Sequence, residues 1–235
     1  MRLSVPIYQL KRRAKLLARD EKIPLHEAQD RIAREEGFSA WSALSARMAT
    51  KSPASALLQK LDEGDMLLLG ARPGHGKTLM GLQLLLDAVR DGRRAVFFTL
   101  EYTDREVIQR VQSLDDTAVK HLPEIVTSDD ISADFIARYL SGSPRGTVAV
   151  IDYLQVLDQQ RSTPPLLEQM RVLNNFSRES GTILGFISQI DRSFNSARDP
   201  LPGLDDVRLP NPIPAGVFSK TCFLHAGEAR LQHVS

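Results

Sequence analysis

A chain of 235 residues, 42% hydrophobic and 25% charged, has room for one large domain plus a small module and has the composition of a globular protein. No apolar run approaches the ~20 residues of a membrane helix, the N-terminus meets Pro6 and turns basic where a secretory signal would be apolar, and the single cysteine, Cys222, excludes an internal disulfide and fits a reducing cytoplasm. The net charge of +1 does not advertise nucleic-acid binding, yet it is uneven: residues 1–50 hold ten Lys/Arg against six Asp/Glu, a net of +4, and the remainder carries −3.

The basic segment reads as three short helices. The first spans about Ile7 to Ala18, with Leu10, Ala14 and Leu17 at helical spacing. The second spans about Leu25 to Glu36, with Pro24 in first-turn position and Gly37 as its stop. The third follows Ser39 and carries Trp41, Leu44 and Met48. A miniature core around Phe38 and Trp41 is expected, although ~50 residues are marginal for independent stability. The basic surface could touch a phosphate backbone or an acidic partner, or simply be a solvated helical face. Thr50-Lys51-Ser52-Pro53 reads as a linker, dividing a helical module, 1–50, from a main domain, 51–235.

The main domain begins with a short helix, about Ala54 to Leu61, and a turn at Asp62-Glu63-Gly64-Asp65. Strand and helix then alternate. Met66–Leu69, Ala95–Leu100, Val148–Ile151 and Ile183–Ile187 are short, nearly continuous aliphatic runs, as parallel strands covered on both faces require. Amphipathic stretches lie between them, about Leu79–Arg90, Asp104–Leu114, Ser132–Leu140 and Leu166–Arg178. The expected class is α/β, a mostly parallel sheet flanked by helices and preceded by the small helical module. Thr221–Leu224 and Ala229–Val234 are expected to add edge strands, and Asp191 to Phe218, with five prolines, a long loop.

The strand Met66–Leu69 runs into Gly70 and then Ala71-Arg72-Pro73-Gly74-His75-Gly76-Lys77-Thr78, followed by a helix. Strand, glycine-rich loop and helix in that order form a phosphate cradle. Gly74 and Gly76 let backbone N–H groups turn inward, and the helix start adds partial positive charge. Lys77 can reach β- and γ-phosphates, and Thr78 can place its hydroxyl on magnesium. The ligand expected is ATP with Mg2+. Ala71 stands where the pattern usually has its first glycine, with Gly70 one residue earlier.

Three further residues stand at strand ends. Asp152 closes the buried run Thr147–Ile151 and fits a magnesium-orienting carboxylate. Tyr153 follows it, and a phenol is a poor base at neutral pH, so another carboxylate must activate water. Glu101, after the strand Ala95–Leu100, is the candidate general base; its alternative reading is an exposed helix-capping glutamate. Gln189 ends the strand Ile183–Ile187, where an amide could contact γ-phosphate or water and report nucleotide state to the next loop.

The order and wording of these elements resemble the C-terminal ATPase domain of DnaB-type replicative DNA helicases, a RecA-like fold. Besides the phosphate loop, the matching stretches are Phe98-Thr99-Leu100-Glu101, Ile151-Asp152-Tyr153-Leu154-Gln155 and Ile187-Ser188-Gln189-Ile190-Asp191-Arg192-Ser193, with Asp206-Val207-Arg208 fainter; together they cover about residues 58–225. The resemblance implies ATP hydrolysis by Lys77, Thr78, Glu101, Asp152 and Gln189, single-stranded DNA near the loop after Gln189, and a homo-oligomeric ring with nucleotide between subunits. Two departures stand out. The family's basic strand that sends an arginine into the neighbouring site has no clear Lys-x-Arg match here, Arg230 being a weak substitute, and Leu209-Pro210-Asn211-Pro212-Ile213-Pro214 replaces an acidic stretch. Residues 1–48 resemble a short module met ahead of various bacterial proteins.

The histidines, His26, His75, His121, His225 and His233, lack metal-ligand spacing, and no Gly-x-Ser-x-Gly elbow appears. The expected function is therefore a DnaB-like ATPase acting with DNA. Its rivals are a regulatory switch that recruits a protein partner through the loop 191–218 with little turnover, and a RecA-like ATPase or kinase of the clock and recombination type.

Overall fold

The computed structural model describes residues 4–5, 7–48, 53–114, 122–154, 157, 164–191, 194, 202–207, 216–225 and 228–233. Of the sequence expectations, the linker 50–52 and Gln155, Arg192, Ser193, Arg208 and 209–214 lie outside them. The chain divides into two compact units, Met1–Gln59 and Lys60–Ser235.

The first unit is helical: α1 (Ile7–Glu21), α2 (Leu25–Glu35), α3 (Trp41–Met48) and α4 (Pro53–Leu58). Leu10 and Ala14 of α1, Ala28, Ile32 and Ala33 of α2 and Leu44 of α3 are buried together, with Leu17, Phe38 and Trp41 packed around them. The 3.6-residue spacing of these apolar positions places them on inward faces. Gly37, at φ 83°, makes the left-handed turn that ends α2. Asp30 accepts a hydrogen bond from the Trp41 N–H, 2.8 Å, and so caps α3 from a neighbouring helix. Arg13–Glu35 and Arg31 with Glu21 and Glu27 form surface ion pairs at 2.6–2.7 Å; such exposed pairs orient more than they stabilise.

The second unit is a seven-stranded sheet in the order β3-β2-β4-β5-β1-β6-β7. Its strands are β1 (Met66–Ala71), β2 (Ala95–Thr99), β3 (Glu124–Val126), β4 (Val148–Asp152), β5 (Ile183–Gln189), β6 (Lys220–His225) and β7 (Glu228–His233). All neighbours are parallel except β6 and β7. The helices are α5 (Lys77–Arg90), α6 (Asp104–Leu114), α7 (Ala133–Tyr139) and α8 (Leu166–Ser180). Every residue of β1, β2 and β4 is buried, which is why these strands read as unbroken aliphatic runs. No helix among the described residues is long and apolar enough to cross a membrane.

Two strand expectations need correction. β6 is no edge strand: it lies between β1 and β7, and only β7 is at the rim. Hydropathy cannot distinguish these, because a C-terminal strand inserted parallel to β1 and an added edge strand bury similar runs. β3 is additional, a three-residue strand with exposed Glu124 and half-buried Ile125, too short to show a period. It exists through its pairing with Val96–Phe98 of β2.

Small residues set the close approaches. A Cβ on Gly70 would lie 2.6 Å from the Phe223 ring, so this glycine makes room for β6. A Cβ on Gly81 would lie 2.8 Å from Ile187, so Gly81 lets α5 sit close on the sheet. Lys220, buried at the start of β6, pairs with Asp65 at 2.5 Å, and Ser219 donates to the other carboxylate oxygen of Asp65, 2.8 Å. Cys222 is a buried core residue as expected, its thiol pushed up to about 11 by burial. Of the long connection after β5, Leu204–Asp206 form a 3-10 turn and Val207 bridges Ile190, so this part folds back along the end of β5.

Candidate nucleotide site at the carboxyl edge of the sheet

Parallel register brings the sequence-separated candidates to one edge. Thr99 of β2 is paired with Asp152 of β4, Asp152 with Ile187 of β5, and Gln189 with Ala71 of β1. The ends of β1, β2, β4 and β5 therefore converge, which is where ligands bind in open α/β sheets.

β1 releases the chain at Ala71 into Arg72-Pro73-Gly74-His75-Gly76, and α5 begins at Lys77. Gly74 (φ 77°) and Gly76 (φ 80°) are left-handed, and a Cβ on either would meet nothing within 4 Å. Both faces of the loop are thus open rather than packed. The His75 N–H closes on the Arg72 carbonyl, 3.2 Å, and the Met80 N–H on the Gly76 carbonyl, 2.9 Å. Gly76 caps α5 without any side-chain acceptor, and the first turn holds no acid. The early N–H groups of this 14-residue helix thus face the cradle with its positive dipole end. Pro73, Gly74 and His75 are exposed, Arg72, Gly76 and Lys77 half-buried, and Ala71 and Thr78 buried.

Asp152 is fully buried, and neither carboxylate oxygen has a hydrogen-bond partner. The Thr78 hydroxyl approaches it and favours its charged form without closing a well-formed hydrogen bond. The carboxyl is raised to about 6, first by burial and further by the negative charge of Glu101; Thr78, Lys77 and Arg110 act the other way. A buried carboxylate with two unengaged oxygens beside a hydroxyl is a hard-oxygen donor set that suits magnesium. The peptide after Asp152 is cis.

Glu101 is exposed at the mouth of a cleft of about 530 Å³, lined also by Tyr102, Thr103, Glu106, Thr127 and Asp129. Its N–H donates to the Thr99 hydroxyl, 3.1 Å, which anchors the turn after β2. Thr103 and Glu106 instead cap α6, the Thr103 N–H donating to the Glu106 carboxylate at 2.8 Å. Glu101 is therefore not the helix cap. Gln189 is half-buried at the end of β5.

Two relationships are not legible in the sequence. Arg110 of α6 lies 4.1 Å over the Tyr102 ring, and its charge reaches Asp152. On an amphipathic helix it reads as one more solvated arginine; only its spacing of four from Glu106 hints at its face. Arg72 of the phosphate loop donates to the Phe194 carbonyl and sits 5.6 Å over its ring, joining this loop to the segment after β5. Arg230 is exposed on the edge strand β7, across from Phe223.

The sequence profile of the DnaB-like helicase C-terminal domain matches residues 54–130. Among curated proteins, the replicative DNA helicase DnaB of Mycoplasma pneumoniae is 25% identical over 66% of this chain and 41% of its own length. That of Helicobacter pylori strain J99 is 25% identical over 63% and 37%. The chain thus spans about two fifths of the length of these relatives. Among solved structures, a DnaB-like replicative helicase studied with primase superposes with a TM-score of 0.59 at 17% identity over 92% of this chain and 66% of that one. Another, solved as an ATPase domain, gives 0.57 at 19% identity, covering 70% of either chain. A KaiC-like protein of Pyrococcus horikoshii gives 0.51 at 19% identity, covering 72% and 76%. At these identities the structural likeness establishes the fold.

Proposed function

We propose, for a chain whose RecA-like domain resembles the C-terminal domain of DnaB-type replicative helicases, that the site binds and hydrolyses magnesium-ATP and that hydrolysis serves an action on DNA. The observation that carries this reading is Asp152: a fully buried carboxylate with two unengaged oxygens, beside Thr78, at the head of an open phosphate loop. A buried charge without a partner is costly, so a cation ligand is the simplest reason to keep it.

The roles follow from position. Backbone N–H groups from Arg72 to Lys77 and the α5 dipole hold the phosphates, and the Lys77 ammonium bridges the β- and γ-groups. Thr78 and Asp152 hold magnesium, which supplies neutralisation of the developing phosphate charge. Glu101 orients the attacking water and takes its proton. Gln189, in register with Ala71, contacts the γ-phosphate or that water and passes nucleotide state to the segment after β5. Single-stranded DNA is the expected polymer partner, and a ring of copies the expected assembly, with the source of a trans arginine unassigned.

The test is ATP turnover by the intact chain, with and without single-stranded DNA, alongside light scattering. DNA-stimulated turnover that vanishes in Lys77→Ala supports the reading. Tight ATP binding with no turnover, unchanged in Glu101→Gln, would instead make the protein a nucleotide-dependent switch.

A further inference from the structure

The first unit carries a patch of one charge sign that the nucleotide site does not use. Arg12, Lys15 and Arg19 of α1 and Lys22 directly after it are all exposed. Their steps of three, four and three residues place them on one helix face, opposite the buried Leu10 and Ala14. Leu16, 51% exposed, lies beside the row, and Asp20 borders it.

A merely solvated face usually interleaves its signs, because like charges three or four residues apart destabilise a helix. Here the row keeps three such like-charged steps. Of the acids of this unit, Glu21 and Glu27 hold Arg31, and Glu35 holds Arg13. The row extends over ten residues, about 15 Å of helix. Duplex DNA of that length presents roughly nine phosphates. An anionic membrane fits less well. A surface-lying helix needs a broad exposed apolar face, and the apolar side of α1 is buried in the core of its own unit.

We propose that Arg12, Lys15, Arg19 and Lys22 form a contact for the nucleic-acid phosphate backbone, independent of sequence and separate from the nucleotide-dependent segments of the second unit. The choice of nucleic acid over another polyanion rests on the reading that the adjoining domain acts on DNA. The contact gives the chain a hold on the polymer that persists when nucleotide leaves.

The test is fluorescence anisotropy of a labelled 30-nucleotide single strand and its duplex, with the full chain, no nucleotide, and a series of salt concentrations. The variant Arg12→Gln/Lys15→Gln/Arg19→Gln/Lys22→Gln is expected to bind at least ~10-fold more weakly near 0.1 M salt, its slope of log K against log salt flattening by about 3. A control removing three exposed arginines of the second unit, Arg138→Gln/Arg171→Gln/Arg178→Gln, is expected to keep the parental slope. Lys77→Ala is expected to bind as the parent does, so failure of the ATPase reading is seen separately. If the fourfold variant does not melt cooperatively, Arg12→Gln/Lys15→Gln and Arg19→Gln/Lys22→Gln replace it, each flattening the slope by about half as much. Unchanged affinity and slope overturn the proposal. So does binding to phosphatidylserine vesicles that depends on the row when DNA binding does not.

Discussion

Gln189 stands directly beside Ala71 in the sheet, the last residue of β5 in register with the last of β1, and the Ile190 N–H closes on the Ala71 carbonyl at 3.0 Å. The phosphate loop and the segment after β5 thus leave the sheet from adjacent points, and Arg72 ties them again through Phe194. Phosphate held by one strand end is within reach of the other, and the predictions below test the site built on that adjacency.

Lys77→Ala removes a cation from the phosphate cradle and leaves the loop backbone in place. Calorimetry with magnesium-ATP is expected to show binding weakened by about tenfold or more, and turnover reduced by ~100-fold or more. Melting without nucleotide should stay near the parental value, because Lys77 is half-buried and heads a helix whose end favours negative charge.

Glu101→Gln keeps shape and hydrogen-bonding reach but cannot accept a proton. Magnesium-ATP should bind as tightly as to the parent, while turnover falls by roughly 100- to 10,000-fold. Equal turnover would move the base to another carboxylate around the cleft.

Asp152 makes stability depend on pH in a stated direction. Its folded value of about 6 lies above the ordinary 3.8, because burial disfavours the charged form. Between about pH 4 and 6 the unfolded chain has released this proton and the folded one has not, so stability falls as pH rises through that window and is flat beyond it. The cost at neutral pH is about 3 kcal/mol. Asp152→Asn should therefore melt higher than the parent at pH 7.5 and lose the dependence between pH 4 and 6. It should also lose the stabilisation that magnesium-ATP gives the parent.

Gly70→Ala places a Cβ 2.6 Å from the Phe223 ring. Overpacking of this kind costs roughly 1–3 kcal/mol, a fall of about 2–12 °C in melting temperature for a domain of this size. Phe223→Leu in the same chain should recover part of it. Gly74→Ala meets open space and strains only its left-handed backbone, so its main effect should be on nucleotide affinity.

The candidate residues are all legible in the sequence as residues, but their company is not. Lys77 and Thr78 follow a local loop whose geometry is written in neighbouring glycines. Glu101, Asp152 and Gln189 are placed at strand ends by apolar runs that stop at polar residues, and the register then brings them together. Arg110 stays hidden because a helix period specifies which face it is on and not what that face meets. β3 stays hidden because three residues carry no period, and β6 reads as a rim strand because hydropathy carries no strand order.

Local pattern alone therefore settled the class of fold, the succession of strands and helices in the second unit, and the cradle between β1 and α5, since those depend on residues within one turn or one strand. The three-dimensional arrangement alone decided that β6 inserts beside β1, that Gly70 makes room for Phe223, and that Asp152 is left buried with unengaged oxygens next to Thr78. These are contacts between residues far apart in the chain, set by which strands pair and how closely α5 sits on them, and no short-range regularity encodes them.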